Sequence, residues 1–594
     1  MTASPALAAA GAGGAPPLVG QRLQRMAAAD PDRALYTHLT FGEAPPARLT
    51  RGETWRRACA VAAALEDRGL RGRPVLLLYP PGPDFGPAFL GVLLGRAIAV
   101  PVPAPEFAAQ FDRLERIAAD CGPGAVLCTA ALQAKILAKL AAHSPLRACP
   151  WLATDAVEAA PSFEPAPAAP SEAALLQYTS GSTSEPKGVA LTQANIAHNL
   201  EMMAQAFQPD AGARILSWLP HFHDMGLIAG VLGPMTCEGE SVLMAPRAFL
   251  LRPLRWLQAI SEHRAQISGA PNFAYELCVR AAAREDAAGL DLSCWRSAFA
   301  GAEPVRMATL EAFADRFAPQ GFARSALTPC YGMAEATLLV TCKPFGAAPT
   351  SHRLAREAAA RGRAEPAQDG AGLVLTGCGH PPEGVQVRIV DPERRTPLPP
   401  GRIGEAWIAG PQVARGYWNR QGDDDPFGAQ LPGDGGRWLR TGDLGFLSEA
   451  GEFVFVDRLK DLIIVNGQNH ACHDLELAAA ASHPALSAGG CAALGLDTGG
   501  AAHIAIVAEL PPGALDAAGE IASSIRSSLF TTHALAVKTI VFVAPRRLSR
   551  TTSGKLQRRL TAQRLCEGAL KPLALHGEPL PAPPPVISGA DPTP

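Results

Sequence analysis

Short apolar runs alternate with helical patterns along the first half of the chain. Residues 74–79 and 97–102 have the length and composition of buried strands, whereas residues 56–68 and 85–94 have the composition of helices. Further strands of the same kind are predicted at residues 173–178, 214–219 and 241–245. This alternation predicts an α/β fold in which crossover helices join parallel strands.

The pattern changes after residue 384. Apolar and polar residues alternate in residues 385–390 and 405–409, and turns that contain Gly and Pro separate these segments. This pattern predicts antiparallel strands. Beyond residue 458, helical and strand patterns are mixed. We therefore predict a large N-terminal domain of mixed sheets with crossover helices and a small β-rich subdomain, followed by a small C-terminal α+β domain. The predicted limits are 1–17 for a disordered tail, 18–457 for the large domain, 458–575 for the small domain and 576–594 for a Pro-rich tail.

Composition places the chain among globular proteins. It has 594 residues, of which 48% are hydrophobic and 18% charged, enough for several hydrophobic cores. The net charge of −2 gives no overall attraction to nucleic acid, so no nucleic-acid partner is expected. The thirteen cysteines include no Cys-x-x-Cys pair and predict neither a zinc site nor a disulfide framework. Without a basic leader or a long apolar span, we expect a cytoplasmic protein with no integral membrane association.

One Ser- and Thr-rich stretch is a candidate phosphate-binding loop: Tyr178-Thr-Ser-Gly-Ser-Thr-Ser-Glu-Pro-Lys-Gly-Val189. Glycine and small side chains let backbone N–H groups approach a polyphosphate, and hydroxyls and a lysine add donors and charge. The loop follows a predicted strand, where α/β proteins bind ligands, but it is not a Walker A loop. The alternative is a Ser/Thr-rich surface turn. The candidate ligands are Thr179, Ser180, Gly181, Ser182, Thr183 and Lys187.

Six further motifs follow this loop along the chain. They are Pro220-His-Phe-His-Asp-Met-Gly226, Gly301-Ala-Glu-Pro304, Tyr331-Gly-Met-Ala-Glu-Ala-Thr337, Thr441-Gly-Asp-Leu444, Arg458-Leu-Lys-Asp461 and Thr552-Ser-Gly-Lys555. The ordered set resembles the adenylate-forming superfamily of acyl-CoA synthetases, luciferases and peptide-synthetase adenylation domains, over about residues 20 to 570. Joining a carboxylate to AMP sets an anionic nucleophile beside an anionic triphosphate, so the resemblance implies ATP and Mg²⁺.

The resemblance also implies where the nucleotide binds. It puts Thr179 to Thr183 and Lys187 at the pyrophosphate end of ATP, Asp443 at the ribose hydroxyls and Arg458 beside it. Glu335 matches the acidic residue associated with Mg²⁺, with Thr183 as a weaker second ligand. The residues matched to the purine site are Gly301, Ala302, Glu303, Tyr331, Gly332 and Met333.

Ordinary structural roles are the alternatives for single residues. Glu335 could cap a helix, Asp443 could form a turn and Tyr331 could pack in a core. Six ordered matches make coincidence remote.

Lys555, His223 and Glu335 are the predicted catalytic residues. Lys555 matches a mobile lysine whose ammonium would bridge carboxylate and α-phosphate oxygens in the transition state. His223 matches a position beside the reactive carboxylate, where a general base is unnecessary because a fatty carboxylate is ionised at pH 7. His221 is interpreted as packing, since no fourth metal ligand is evident. Lys460 matches the hinge about which the small domain rotates.

Finer features resemble the fatty acyl-AMP ligases. These are Gln177-Tyr-Thr-Ser-Gly-Ser-Thr-Ser184, Leu219-Pro-x-x-His-Asp-Met-Gly-Leu227, Asp461-Leu-Ile-Ile-Val-Asn-Gly-Gln-Asn-His470 and a long spacing that contains residues 351–372. The ligase branch carries an insertion there, held to restrict domain rotation and so to disfavour CoA; the alternative is a solvated surface segment. Two departures lie at the hinge: Ala471-Cys472 replaces the common Tyr-Pro, and Asp457 replaces a glycine.

The resemblance implies ATP-dependent conversion of a medium- or long-chain fatty acid to acyl-AMP and pyrophosphate. The expected acceptor is an acyl carrier protein of a polyketide- or lipopeptide-type pathway. One alternative is a long-chain acyl-CoA synthetase, which would form acyl-CoA when given CoA. Another is a non-catalytic carrier-protein partner, which would release no pyrophosphate.

Overall fold

The computed structural model describes residues 14–40, 45–160, 163–179, 186–368, 372–420, 422, 425–465, 468–487, 489–496, 503–533, 535–551 and 555–580. The helices are α1 (Val19–Ala29), α2 (Arg51–Glu66), α3 (Phe85–Leu94), α4 (Ala108–Cys121), α5 (Ala130–Lys139), α6 (Gln193–Phe207), α7 (Pro246–Leu251), α8 (Leu254–His263), α9 (Asn272–Ala282), α10 (Met307–Phe317), α11 (Arg356–Ala360), α12 (Cys472–Ala481), α13 (Ala518–His533) and α14 (Arg558–Cys566).

The strands up to residue 342 are β1 (Ala34–Leu39), β2 (Ala47–Thr50), β3 (Pro74–Tyr79), β4 (Ile98–Pro103), β5 (Ala125–Cys128), β6 (Trp151–Ala153), β7 (Ala173–Thr179), β8 (Lys187–Thr192), β9 (Arg214–Ser217), β10 (Glu240–Met244), β11 (Ile267–Ala270), β12 (Ser297–Ala300), β13 (Leu327–Gly332) and β14 (Leu339–Cys342). The later strands are β15 (Ser351–Leu354), β16 (Leu373–Thr376), β17 (Gln386–Val390), β18 (Gly404–Ala409), β19 (Gly416–Tyr417), β20 (Leu439–Leu447), β21 (Phe453–Arg458), β22 (Leu462–Val465), β23 (Gln468–Ala471), β24 (Cys491–Leu496), β25 (His503–Glu509), β26 (Thr539–Val543) and β27 (Ala574–Gly577).

The first large sheet has eight strands in the order β14-β13-β12-β11-β9-β10-β1-β2. Its inner pairs are parallel, and only the edge strands β2 and β14 run antiparallel to their neighbours. The predicted parallel pairing of this part of the chain is thus confirmed. Strand β9 ends at Ser217, two residues before the predicted end, because the Ser217 hydroxyl accepts a hydrogen bond from the Leu219 N–H and turns the chain.

The second large sheet has seven strands in the order β19-β8-β7-β4-β3-β5-β6. Strand β3 and helix α3 begin and end at the predicted residues. Helix α2 begins five residues before the predicted start, because the Thr50 hydroxyl accepts a hydrogen bond from the Glu53 N–H and caps it there.

The two large sheets enclose the main core. Helices α1, α2, α3 and α6 pack between them, with side chains such as Phe89 and Leu200 fully buried. A second core on the outer face of the first sheet holds the edge-to-face aromatic cluster of Trp256, Tyr275, Trp295 and Phe313. Helices α4 and α5 cover the outer face of the second sheet. Such packing holds the ends of the strands, where ligands bind in α/β folds, in fixed positions.

A smaller sheet of four strands, β17-β18-β20-β21, is antiparallel throughout. The predicted antiparallel pairing of residues 385–390 with 405–409 is confirmed, since β17 pairs with β18. Strands β20 and β21 form a hairpin in which Asp443 lies opposite Arg458. This register brings two predicted site residues together.

The C-terminal region, defined here as residues 462–577, contains β22 to β27 and α12 to α14. Strands β24 to β27 form one sheet, and α12 and α13 pack on it around a core of its own. Two elements cross the predicted domain limits: β21 runs to Arg458, and β27 runs to Gly577 because it pairs with β26. The division of the chain into two domains stays a prediction. Among the described helices, none is long and apolar enough to cross a bilayer.

Residues 351–372 are folded against the rest of the protein over their described part. Strand β15 pairs with β16, and α11 follows β15. Leu354 packs in one cluster with Leu444 and Val456 of the small sheet. The Arg356 guanidinium forms an ion pair with Asp474 of α12 and donates to the Gly372 carbonyl at 3.0 Å. This segment therefore contacts both the small sheet and the C-terminal region.

Candidate active site

A cavity of about 650 Å³ lies between the ends of β12 and β13, the paired strands β20 and β21, and the C-terminal region. The predicted site residues in its wall are Ala302, Glu303, Tyr331, Gly332, Asp443, Arg458 and Lys555. These residues come from five separate motifs, which the fold brings to a single space.

Asp443 is held by two neighbours. The Tyr331 hydroxyl donates to its Oδ2 at 2.8 Å, and the Arg458 Nε lies 3.2 Å from its Oδ1. The Asp443 carboxylate is the largest cause of the raised pKa of Arg458, and burial raises the pKa of Tyr331 well above its usual value. The carboxylate therefore faces the cavity with both oxygens oriented.

The backbone of Thr441-Gly-Asp443 explains this placement. The Thr441 hydroxyl donates to the Ala406 carbonyl and accepts from the Asp443 N–H. Gly442 has a φ of +68°, which glycine adopts at low cost, and its N–H donates to Glu405. This irregular stretch of β20 is thus anchored on β18, and Asp443 faces the cavity.

The segment after β12 contributes the half-buried carboxylate of Glu303. Glu303 accepts a hydrogen bond from the Phe273 N–H at 2.7 Å, at the start of α9. Burial raises the pKa of Glu303, against the lowering effects of that N–H and of Arg306. The preceding Ala302 has a φ of +67°, a conformation uncommon for residues other than glycine.

Two hydrogen bonds join Lys555 to Thr551. The Thr551 N–H donates to the Lys555 carbonyl at 2.8 Å, and the Lys555 N–H donates to the Thr551 hydroxyl at 3.0 Å. Burial is the largest effect on its ammonium and lowers the pKa, and Arg458 acts in the same direction. The carboxylates of Asp224, Asp443 and Glu303 oppose this shift, so Lys555 sits among the carboxylates of the site.

The two histidines of the Pro220-His-Phe-His motif occupy different environments. The His221 ring packs 4.2 Å from the ring of Phe85, centre to centre, as expected for a packing residue. His223 lines a small adjoining cavity with Tyr178 and Arg113. Burial lowers the pKa of His223 to about 4, and Lys555 contributes in the same direction. His223 is therefore neutral at pH 7 and lies within electrostatic range of Lys555.

Strands β7 and β8 form an antiparallel pair on either side of the Ser/Thr-rich loop. Thr179, the last residue of β7, lies opposite Lys187, the first residue of β8. The loop residues Ser180, Gly181, Ser182 and Thr183 lie outside the described residues. The Lys187 ammonium lies 5.3 Å from the ring centre of Tyr417, whose hydroxyl donates to Glu335 Oε1 at 2.9 Å.

Through Tyr417, Glu335 therefore lies near Lys187, at the base of this loop. Burial raises its pKa. A single carboxylate beside the phosphates of a substrate is the usual protein share of a Mg²⁺ site, so Glu335 fits that role by its chemistry. Thr179, Lys187, Gly301, Met333 and Glu335 are not among the residues that line the 650 Å³ cavity.

A dense charged cluster surrounds the predicted hinge. Arg558 forms ion pairs with Glu476 at 2.7 Å and with Asp461 at 3.0 Å. Asp457 accepts from the Arg458 N–H at 2.8 Å and from the His473 N–H at 3.4 Å. Lys460 lies in the turn between β21 and β22, and burial lowers its pKa. Asp457 thus links the end of the small sheet to the start of α12.

The apolar end of the cavity was not predicted from the sequence. It is lined by Trp218, Leu219, Pro246, Leu250, Phe273 and Leu277. Trp218 stacks on Phe249 at 3.9 Å and meets Phe273 edge to face at 6.2 Å. In the sequence, these residues are marked only by their position after strands β9, β10 and β11. Apolar residues of the core occupy similar positions, so the two kinds of residue cannot be told apart.

Two family models match separate parts of the chain. One is described as AMP-binding enzyme and matches residues 23–418. The other is described as the AMP domain of Disco-interacting protein 2-like proteins and matches residues 460–574.

Characterised relatives match nearly the whole chain. It is 37% identical to the medium-chain-fatty-acid–[acyl-carrier-protein] ligase JamA of Moorena producens, over 91% of this chain and 93% of that protein. It is 37% identical to the long-chain-fatty-acid–AMP ligase FadD23 of Mycobacterium tuberculosis, over 89% of this chain and 93% of that one. A crystal structure of the fatty acyl-adenylate ligase from L. pneumophila, in complex with acyl adenylate and pyrophosphate, superimposes with a TM-score of 0.72 at 35% identity, covering 94% of this chain and 98% of that one.

Proposed function

The chain belongs to the AMP-binding enzyme family, and within it to the fatty acyl-AMP ligases, and on that basis we propose that its large cavity joins a medium- or long-chain fatty acid to AMP. A carboxylate oxygen of the acid forms a bond to the α-phosphorus of ATP. The bond from that phosphorus to the pyrophosphate group breaks, so acyl-AMP and pyrophosphate are released together.

The observation that carries this proposal is the meeting of a charged and an apolar wall in one cavity. Lys555, Asp443 and Arg458 line one part, and Trp218, Phe273 and Leu277 line another. An acyl adenylate has the same two parts, a charged nucleotide and an alkyl chain. Hydrophobic lining with a few convergent polar groups is typical of small-molecule sites.

Lys555 supplies the charge that the reaction needs. Two anionic groups must approach each other, and an ammonium fixed between them lowers their repulsion most strongly in the transition state. The neutral ring of His223 can offer the acid a hydrogen bond but no charge at pH 7. No general base is needed, because the fatty carboxylate is ionised.

The nucleotide is held by the remaining predicted residues. Asp443 accepts both ribose hydroxyls, with Tyr331 and Arg458 fixing its orientation. Gly301, Ala302, Glu303, Gly332 and Met333 frame the purine, and Thr179 to Thr183 with Lys187 hold the phosphates. Glu335, with Thr183 as a weaker second ligand, would hold Mg²⁺, which would supply positive charge to the triphosphate.

The acceptor of the acyl group is proposed to be an acyl carrier protein. The relative JamA carries that acceptor in its name. The ion pair between Arg356 and Asp474 favours one orientation of the C-terminal region, and a second half-reaction with CoA would require rotation about Lys460. A ligase that resists this rotation stops at acyl-AMP when CoA is offered.

Pyrophosphate release tests the first half-reaction. The purified protein is given ATP, Mg²⁺ and straight-chain acids from octanoate to stearate, and we expect release that depends on the acid. Asp443→Ala should raise the KM for ATP, because the bidentate ribose acceptor is lost. Glu449→Ala, an exposed carboxylate at the turn of the same hairpin, is the matched control. An unchanged KM in Asp443→Ala would reduce the Thr-Gly-Asp motif to a turn.

A second assay identifies the acceptor. Acyl transfer to holo acyl carrier protein and to CoA is followed by mass spectrometry with the acid that the first assay selects. Robust acyl-CoA synthesis by the wild type would contradict the ligase assignment and favour an acyl-CoA synthetase. Absence of pyrophosphate release with every acid would favour a non-catalytic partner.

A further inference from the structure

Two consecutive leucines on α7 stand in solvent beside the cavity. Leu250 is 58% exposed and Leu251 68% exposed, whereas Ala248 and Phe249 of the same helix are buried. Nine large apolar side chains are exposed in the described part of the chain, and Leu250 alone among them also lines the cavity. Exposed apolar side chains that adjoin a binding groove mark sites of protein or membrane contact.

The pair is continuous with the apolar end of the cavity. Pro246 and Leu250 line that end from α7, and Phe273, Leu277 and Arg280 line it from α9. The opening between α7 and α9 is thus where an alkyl chain would pass between the cavity and the outside.

Arginines surround the opening. Arg247 is exposed on α7, and Arg252 follows the leucines with its side chain exposed while paired to Glu285 at 2.8 Å. Arg280 is exposed on α9 and pairs with Glu276 at 2.5 Å. Apolar side chains flanked by arginines resemble the surfaces of peripheral proteins that insert leucines below anionic head groups.

We propose that α7 is a lipid-docking surface, through which the protein takes its fatty acid from a layer of anionic amphiphiles. Leu250 and Leu251 enter the acyl region of the layer, and Arg247 and Arg252 contact its phosphate or carboxylate head groups. The inference rests on the proposed function for the identity of the transferred acid. Long fatty acids partition into such layers, so a docked opening shortens their path to the cavity.

Vesicle binding tests the surface without catalysis. Full-length protein is sedimented with vesicles of equal parts phosphatidylcholine and phosphatidylglycerol, and with phosphatidylcholine alone, at low and high salt and without ATP. We expect binding to the anionic vesicles that weakens with salt. Leu251→Gln and Arg247→Gln should each lower the partition coefficient, the latter about fivefold.

Phe530→Gln is the matched control. Phe530 is 66% exposed on α13 and does not line the cavity, so its replacement removes a similar exposed apolar surface elsewhere. It should leave vesicle binding unchanged. No binding by the wild type, or an equal loss in Phe530→Gln and Leu251→Gln, would overturn the proposal. The proposal would also be overturned if the wild type bound immobilised holo acyl carrier protein but not vesicles, and if Leu251→Gln, unlike Phe530→Gln, abolished that binding.

A kinetic comparison separates docking from chemistry. With monomeric octanoate, Leu251→Gln should release pyrophosphate at the wild-type rate, because Leu251 is outside the cavity wall. With palmitate supplied in anionic vesicles, its rate should fall as its binding falls. Absence of pyrophosphate release by the wild type with octanoate and with every longer acid would contradict the proposed function, whereas equal rates from vesicles in variant and wild type would contradict the docking surface.

Discussion

Lys555 is the only lysine in the described wall of the cavity, which also contains both acidic side chains and arginines. The carboxylates of Asp224, Asp443 and Glu303 all act on its pKa. These carboxylates favour the charged form of the ammonium before the triphosphate arrives, whereas burial and Arg458 oppose it. Charge arranged in advance in a site with little water is what makes such a group effective.

Lys555→Ala should lower the rate of acyl-AMP formation by a factor on the order of 10²–10³, because it removes a charged contact to the transition state. The rate is measured as pyrophosphate release with saturating ATP and acid. Lys571→Ala replaces an exposed lysine of the same region and should retain the wild-type rate. A near wild-type rate in Lys555→Ala, with the fold checked by circular dichroism, would remove Lys555 from the mechanism.

Asp457 is the second residue whose surroundings determine its pKa. It is 2% exposed and lies near Arg558, which forms ion pairs with Asp461 and Glu476. Burial raises the pKa of Asp457 to about 7, although Arg558 opposes this. At Asp457, the folded protein therefore binds more protons than the unfolded chain between about pH 4 and about pH 7. Ionisation of Asp457 lowers the free energy of unfolding as pH rises through this window.

Asp457→Asn should remove that pH dependence. Relative to the wild type, its free energy of unfolding should rise by about 2–3 kcal/mol between pH 5 and pH 8. Urea denaturation at both pH values measures the difference, and Asp516→Asn, an exposed carboxylate of the same region, should show none. A difference that does not vary with pH would show that Asp457 ionises normally.

At the scale of elements, the segment from β15 to β16 contacts both the small sheet and the C-terminal region. Its hairpin packs on the small sheet, and α11 contacts α12 through Arg356 and Asp474. The same Asp474 lies 3.7 Å from His533 of α13. One side chain of the segment thus contacts the C-terminal region where α12 and α13 meet.

Arg356→Ala should loosen this contact and let the C-terminal region rotate more easily. Leaving Asp474 without its charged partner costs about 1–3 kcal/mol in this orientation, which shifts a two-state population roughly tenfold or more. We expect more acyl-CoA from the variant than from the wild type, measured by mass spectrometry. Pyrophosphate release should be unchanged and serves as the folding control.

Arg361→Ala is the matched control for that experiment. Arg361 follows the same helix, is exposed and lies 3.9 Å from Glu357 of its own segment. It should behave as the wild type with CoA. Equal acyl-CoA formation in the two variants would mean that the segment is an ordinary surface element.

At the scale of the whole molecule, the cavity wall joins distant parts of the chain. Glu303 and Tyr331 contribute from the first large sheet, Asp443 from the small sheet and Lys555 from the C-terminal region. A ligand that touches all of them stabilises the arrangement in which they meet. Binding to the folded state alone raises the free energy of unfolding by about 2.7 kcal/mol at a hundred times the Kd.

A non-hydrolysable acyl-AMP analogue should therefore protect both sides of the cavity. Hydrogen exchange should slow in peptides around Glu303 and in peptides around Lys555, and the unfolding temperature should rise. AMP alone lacks the acyl part and should protect fewer residues, with Phe273 and Leu277 left unaffected. Protection confined to the first large sheet would mean that the C-terminal region does not close on the ligand.

Much of the fold was predictable from neighbouring residues. Strand β3 and helix α3 have the predicted limits because an apolar run of a given length has few alternatives once it is buried. The motifs that contain Glu303, Tyr331, Asp443 and Lys555 could be recognised for a similar reason. Each consists of contiguous residues, so its chemistry is visible before any folding is known.

Contacts between distant residues were decided only by the tertiary structure. The Tyr331 hydroxyl meets Asp443 across 112 positions, and Arg356 meets Asp474 across 118. Trp218, Phe273 and Leu277 look like core residues until the order of the strands sets them around one cavity. The raised pKa of Asp457 depends on what buries it, which its neighbours along the chain do not specify. Local sequence determines which elements form because their hydrogen bonds and periodicity are local, whereas sheet order and packing determine which side chains share a site.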